Sequence, residues 1–191
     1  LVPGDCVYVD LNADGEINSN DATRDIGYTD MPEYTAGLNT GFSWKNFDFS
    51  MQWTGAWNVD RMLDEFRRPL GDTNEKGLLL YQYDTTWRSS ADTFTAKFPR
   101  TSSLHASNNY AGSDLYLINA SYLRLKSVEI GYNFNFPFMK KLKMDNCRLY
   151  VNGYNLITIT GFKWGDPESR QSSRPNYPLT RVFNIGLKLG F

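Results

Sequence analysis

A single histidine, two cysteines and the absence of any apolar run near the ~18 residues of a helical membrane span exclude several classes at once. His105 is flanked by Thr101-Ser102-Ser103-Leu104 and Ala106-Ser107-Asn108-Asn109, a polar loop with nothing to orient an imidazole as a catalytic triad requires. No nucleophile elbow and no metal cluster accompany it, so the chain does not read as an enzyme. The carboxylates Asp60, Asp64, Glu65, Asp72 and Glu75 lie among Arg61, Arg67, Arg68 and Lys76, the mixed charge of a solvated face rather than a glycosidase pair. Twenty basic residues are scattered along the chain and the net charge is −1, which leaves no electrostatic footprint for nucleic acid. No signal peptide opens the chain, so an exported protein would have its true N-terminus upstream of Leu1.

What the chain does have is alternation. From Arg181 to the end, Phe183, Ile185, Leu187, Leu189 and Phe191 fall on one face of a strand, opposite Val182, Asn184, Gly186, Lys188 and Gly190. Upstream, Tyr34, Ala36, Leu38, Phe42 and Trp44 alternate with Thr35, Gly37, Asn39, Gly41 and Ser43, and Phe47, Phe49, Met51, Trp53 and Trp57 continue the pattern. Lys45-Asn46 between them reads as a two-residue hairpin turn, with Asn46 the residue that tolerates positive φ. Strands of about eleven residues suit the roughly 9–11 that cross a bilayer on a tilt. Tyr34 with Trp57, and Trp44 with Phe47, sit where interfacial aromatic girdles would lie. Mean hydropathy is only −0.49, as expected when half of every strand faces water.

Five strands follow, at approximately 34–44, 47–57, 121–134, 147–158 and 180–191. The third slips phase: Leu123 and Leu125 lie on one parity, Val128, Ile130, Tyr132 and Phe134 on the other. Either a bulge near Lys126-Ser127 or an upper half that leaves the membrane accounts for it. The fourth sends Leu149 and Val151 outward and Arg148, Tyr150 and Asn152 inward. Short connections, Lys45-Asn46 and Asn135 to Asn146, alternate with long ones, 58–120 and 159–179, like the periplasmic turns and extracellular loops of an outer-membrane barrel. The expected organisation is an extracellular loop at 1–33 and a barrel segment at 34–191 whose last residue lies in the periplasm. Five strands close nothing, since the smallest such barrels use about eight, and an open sheet in lipid would leave backbone groups unsatisfied at both edges. The fold class is therefore all-β, an antiparallel transmembrane β-barrel wall that is one piece of something larger. Cys6 and Cys147 then fall on opposite sides of an apolar band about 25 Å tall, beyond the roughly 7 Å a disulfide spans. Each is free or paired with a cysteine outside this chain.

Several stretches resemble one family. Asp10-Leu11-Asn12-Ala13-Asp14-Gly15-Glu16-Ile17, Ser121 through Val128 with Gly131-Tyr132, Tyr150-Val151-Asn152-Gly153-Tyr154-Asn155-Leu156, and Tyr177-Pro178 through Gly186 to Phe191 stand in the order seen in the C-terminal third of SusC/RagA proteins. These are TonB-dependent outer-membrane transporters of Bacteroidota. The resemblance implies a plugged, roughly 22-stranded barrel, of which this chain is the C-terminal wall. It also implies nutrient uptake of glycans or oligopeptides, a SusD-like surface lipoprotein over the extracellular mouth, and contact with TonB through an N-terminal part absent from this sequence.

Residues 10–21 carry chemistry of their own. Asp10, Asn12, Asp14, Glu16, Asn18 and Asp21 occupy positions 1, 3, 5, 7, 9 and 12 of a calcium-binding loop, with Gly15 at the turn position. Hard oxygen donors in a flexible loop favour Ca2+ over a transition metal. Asp21 replaces the usual bidentate Glu, and Val7-Tyr8-Val9 reads as strand rather than the first helix of an EF-hand. The competing reading is an Asx-rich turn that bonds its own backbone without metal. Among the long-loop residues, Trp87, Phe98, Arg100 and Trp164 are candidates to contact cargo or a lid protein, aromatic faces being strong contributors to such contacts. Packing of one loop against another is the plainer role. The rival for the whole chain is a secreted, calcium-stabilised β-sandwich that binds carbohydrate. It would use the same alternation but bury Phe183, Ile185, Leu187 and Leu189 against a second sheet.

Overall fold

The computed structural model describes residues 1–63, 80–101, 107–137, 139, 143–169 and 179–191. Five long strands are present: β1 (Tyr34–Trp44), β2 (Phe47–Trp57), β5 (Tyr122–Phe134), β6 (Asn146–Thr160) and β7 (Val182–Gly190). Two short ones, β3 (Asp60–Met62) and β4 (Leu117–Asn119), pair with each other. The long strands form one antiparallel sheet in the order β1-β2-β5-β6-β7. Chain order is thus kept across the sheet, the meander expected of an up-and-down wall.

The hairpin register pairs Tyr34 with Trp57 and Trp44 with Phe47, which lines up both aromatic ends. In the connecting turn the left-handed residue is Lys45, with φ 54°, and not Asn46. A primed turn that places its positive φ first accounts for this, and it frees the Asn46 carbonyl to accept from the Asn133 amide at 2.7 Å. Lys45 Nζ lies 4.8 Å from the Trp44 ring.

The phase slip is a bulge. Against β2, Gln52 pairs with Ser127 and Trp53 with Leu125, leaving Lys126 extra. Against β6, Ser127 pairs with Tyr154 and Leu125 with Ile157, so Asn155 and Leu156 face Lys126, with Asn155 at φ 53°. The extra residues return Leu123 and Leu125 to the face that carries Val128, Ile130 and Tyr132.

Among the described residues no apolar layer covers that shared face. Phe183, Ile185, Leu187 and Leu189 are 70%, 74%, 59% and 43% exposed, and Leu38, Phe42, Val151 and Ile159 are exposed as well. Burial concentrates at the loop end of the strands, at Ala56, Val59 and Ala120. At the short-turn end Tyr132, Phe134 and Phe136 form a run of ring contacts at 5.0 and 5.3 Å.

A second compact unit holds residues 1–28 and the described residues between Arg61 and Ile118. Its interior contains Leu63, Tyr116 and Asn109. Tyr116 donates to the Asn109 carbonyl at 2.6 Å and stacks on Phe98 at 6.1 Å. Among the described residues helix occurs as single turns, as the six-residue α1 (Leu80–Thr85) and at Pro137 and Met139 in the connection between β5 and β6.

Candidate functional site

The sheet separates two chemistries. Opposite the exposed apolar face, alternation places Asp48 on β2, Glu129 and Asn133 on β5, Arg148 and Asn152 on β6 and Asn184 on β7. Register brings them together. Arg148 pairs with Asp48, with Nε donating to Oδ1 at 3.1 Å, and donates to Glu129 at 2.8 Å. Asn133 reaches Asp48 at 3.3 Å, Asn152 reaches Glu129 at 3.2 Å, and Asn184 donates to Asn152 at 2.9 Å. One polar ladder thus crosses four strands, and the missing side chain of Gly131 permits it. A Cβ there would overlap the Arg148 guanidinium and the Asp48 carboxylate. Gly186 likewise makes room for the Tyr150 ring. The alternation places Arg148 and Asn152 on this face, while the ladder itself depends on register across strands far apart in sequence. Gly131, opposite Asp48 on β2 and Tyr150 on β6, becomes a signal for the ladder only once that register is known.

Residues 10–21 form a loop closed by its own side chains. The Asp10 carboxylate accepts from the amides of Ala13 (2.7 Å) and Gly15 (2.8 Å), Asn12 from Asp14 (2.9 Å), Asp14 from Glu16 (2.8 Å), and Asn18 from Asn20 (2.8 Å). Asp21 accepts from the amides of Asn18 (2.8 Å), Leu11 (2.9 Å) and Asn12 (3.4 Å), and these bonds, that of Asn18 foremost, lower its pKa. Gly15 takes φ 87° at the turn. Among the described residues no three His, Cys, Asp or Glu side chains converge as metal ligands.

Arg100 is tied to Asp5 at 2.6 Å, and its amide donates to the Gly4 carbonyl at 2.9 Å. The amide of Val2 bonds the Asp5 carboxylate. With help from Arg100 and Asn109, and against the cost of burial, that bond holds the Asp5 pKa down at about 2. Trp87 packs over Gly4, and Phe98 sits between Tyr81 and Tyr116. These three candidates pack within the loop unit, whereas Trp164 is half-buried and belongs to the sheet unit. Cys6 and Cys147 are free thiols, and burial raises that of Cys6. His105 and the carboxylates Asp64, Glu65, Asp72 and Glu75 lie outside the described residues.

The chain is 30% identical over 99% of its length to TonB-dependent receptor P3 of Formosa agariphila. It is 28% identical, again over 99%, to TonB-dependent receptor SusC of Bacteroides thetaiotaomicron. The RagAB peptide importer in its closed-closed state superposes with a TM-score of 0.68 over 93% of the chain at 20% identity. Along nearly its whole length the chain is similar to TonB-dependent receptors, SusC among them. It spans 19% of the length of receptor P3 and 18% of SusC, so it corresponds to about a fifth of such a protein. No family model matches it. The likeness to RagAB concerns the fold, and it identifies the five-stranded sheet as part of a β-barrel wall.

Proposed function

We propose that this chain is a SusC/RagA segment, the C-terminal wall of an outer-membrane, TonB-dependent importer of glycans or oligopeptides. The observation that carries the reading is the two-faced sheet. Its apolar stripe is open on one side, where lipid would lie, and its ionic ladder is on the other, where the aqueous interior would lie. A soluble carbohydrate-binding sandwich fits poorly, because Phe183, Ile185 and Leu187 would then be covered. In this reading residues 1–33 and the connections 58–120 and 159–179 are extracellular, where a SusD-like lipoprotein would dock. TonB engages a part of the protein beyond this chain. The test is uptake by cells carrying the full-length receptor. Import of a defined glycan or oligopeptide is expected to require both TonB and the neighbouring surface lipoprotein. Uptake that persists without TonB refutes the proposal.

The second proposal is calcium in the 10–21 loop. Six oxygen-bearing positions at the right spacing around Gly15 support it, and binding would draw Asp10, Asp14 and Asp21 inward from their backbone partners. Titration calorimetry of the full-length receptor with Ca2+ is expected to show saturable binding that Asp10→Ala with Asp14→Ala removes. Tight binding that survives the double substitution refutes these ligands.

A further inference from the structure

Arg124 is the most enclosed charge of the sheet unit, with its side chain 1% exposed on the polar face of β5. It spends its guanidinium on the segment that follows β6. Nη2 donates to both Asp166 oxygens at 2.8 Å, Nη1 donates to Glu168 at 2.8 Å, and Nε donates to the Thr158 hydroxyl at 3.1 Å. Its flat face lies over Tyr122, 5.4 Å from the ring centroid. Lys126 adds a second cation to Glu168 at 3.3 Å, so two cations balance two carboxylates. Asp166 also organises its own segment, accepting from the Glu168 amide at 2.9 Å and, through its carbonyl, from the Ser169 amide at 3.1 Å.

The rest of this segment is held unevenly, with Pro167 buried and Trp164 half-buried. Phe162 is buried and fixes the near end. Gly161 and Gly165 have no heavy atom within 4 Å of where a Cβ would stand, and Gly165 takes φ 130°. Beside the ion cluster, between the segment and the strands, lies a cavity of about 200 Å³ whose lining mixes Arg124, Asn155, Thr158 and Arg181 with Pro167 and Leu179. The Asn155 Oδ1 atom is buried without a hydrogen-bond partner among the described residues. Close packing is therefore incomplete on this side of the segment, and the ion cluster adds to the hold of the buried Phe162 and Pro167.

We propose that Arg124 is a clasp that keeps the 161–169 segment, a strap with unhindered glycines at Gly161 and Gly165 ahead of its ion-paired residues, down on the polar face, and that breaking its pairs releases the strap. The consequence for transport rests on the barrel reading above, since only there does the polar face line the mouth of a pore. Removing Arg124 orphans Asp166 and leaves Glu168 only the exposed Lys126, and removing the carboxylates orphans a buried guanidinium, so either change should expel the strap.

The experiment is amide hydrogen exchange, read peptide by peptide, on the full-length receptor in lipid vesicles. Arg124→Gln, and separately Asp166→Asn with Glu168→Gln, are expected to speed exchange across 163–169 at least tenfold while β5 and β6 keep the parent's protection. Exchange within twofold of the parent in either variant overturns the clasp. So does loosening of β5 and β6 together with the strap in both variants, which would make Arg124 a residue of the wall alone. Flotation of the same samples with vesicles tests the barrel reading separately. A protein that fails to float refutes that reading and leaves the strap result standing.

Discussion

Replacing Arg148 with Met keeps the aliphatic stem on β6 and removes the charge that joins β2 to β5. Asp48 and Glu129 would then face each other with no cation between them, their side chains 28% and 32% exposed. Breaking a fully buried ion pair costs about 3–5 kcal/mol, and an exposed pair contributes about 0–1. With a fifth of Arg148 and about a third of each carboxylate reaching solvent, the loss should lie between those limits, about 2 kcal/mol. That is roughly thirtyfold in the local opening equilibrium. Amide exchange of the β2, β5 and β6 peptides in the vesicle-embedded receptor reads this opening directly. Adding Asp48→Asn and Glu129→Gln to Arg148→Met leaves no orphaned charge and should recover most of the protection. A single substitution costing under about 0.5 kcal/mol, or a triple variant as weak as the single, would refute the view that the ladder braces the wall.

Ile185→Arg should cost about 2–4 kcal/mol of barrel stability at mid-strand, whereas Asn184→Arg, one residue away on the other face, should cost far less. Refolding yields into vesicles under graded urea distinguish the two. Gly186→Ala forces a Cβ into the Tyr150 ring and should destabilise β6–β7 pairing by about 1–3 kcal/mol; a Tyr150→Ser partner should relieve it, as read by exchange of β7 amides. The Asp5 carboxyl, lowered from 3.8 to about 2, stabilises the loop unit above pH ~4, and that contribution is lost as pH falls through ~2. Asp5→Asn should therefore cost up to about 2 kcal/mol at neutral pH and flatten the acid dependence, measured by exchange around Cys6 and Asn109.

The strands were legible because period-2 patterning is local: Tyr34 to Trp44 and Phe47 to Trp57 coincide with the observed β1 and β2. The slip at Lys126-Ser127 was legible for the same reason, since a parity change inside one strand needs an extra residue. What the sequence concealed depends on distance. Arg124 meets Asp166 and Glu168 across 42 and 44 residues, and Arg148 meets Asp48 across 100. Trp87, Phe98 and Arg100 stand beside Gly4, Tyr116 and Asp5, neighbours that lie far from them in sequence or are joined only by the fold. The turn residue was misplaced by one because propensity favours Asn at positive φ, while the hairpin geometry set that conformation at Lys45.

The most direct test is a scan of single nitroxide labels along 182–190 in the full-length receptor in vesicles, comparing collision with oxygen, which partitions into lipid, and with a water-soluble nickel chelate. A lipid-facing wall predicts an oxygen signal that peaks at 183, 185, 187 and 189 and falls at the even positions between. Labels at Phe183, Ile185, Leu187 and Leu189 shielded from both reagents would mean that protein covers this face, and would contradict the account.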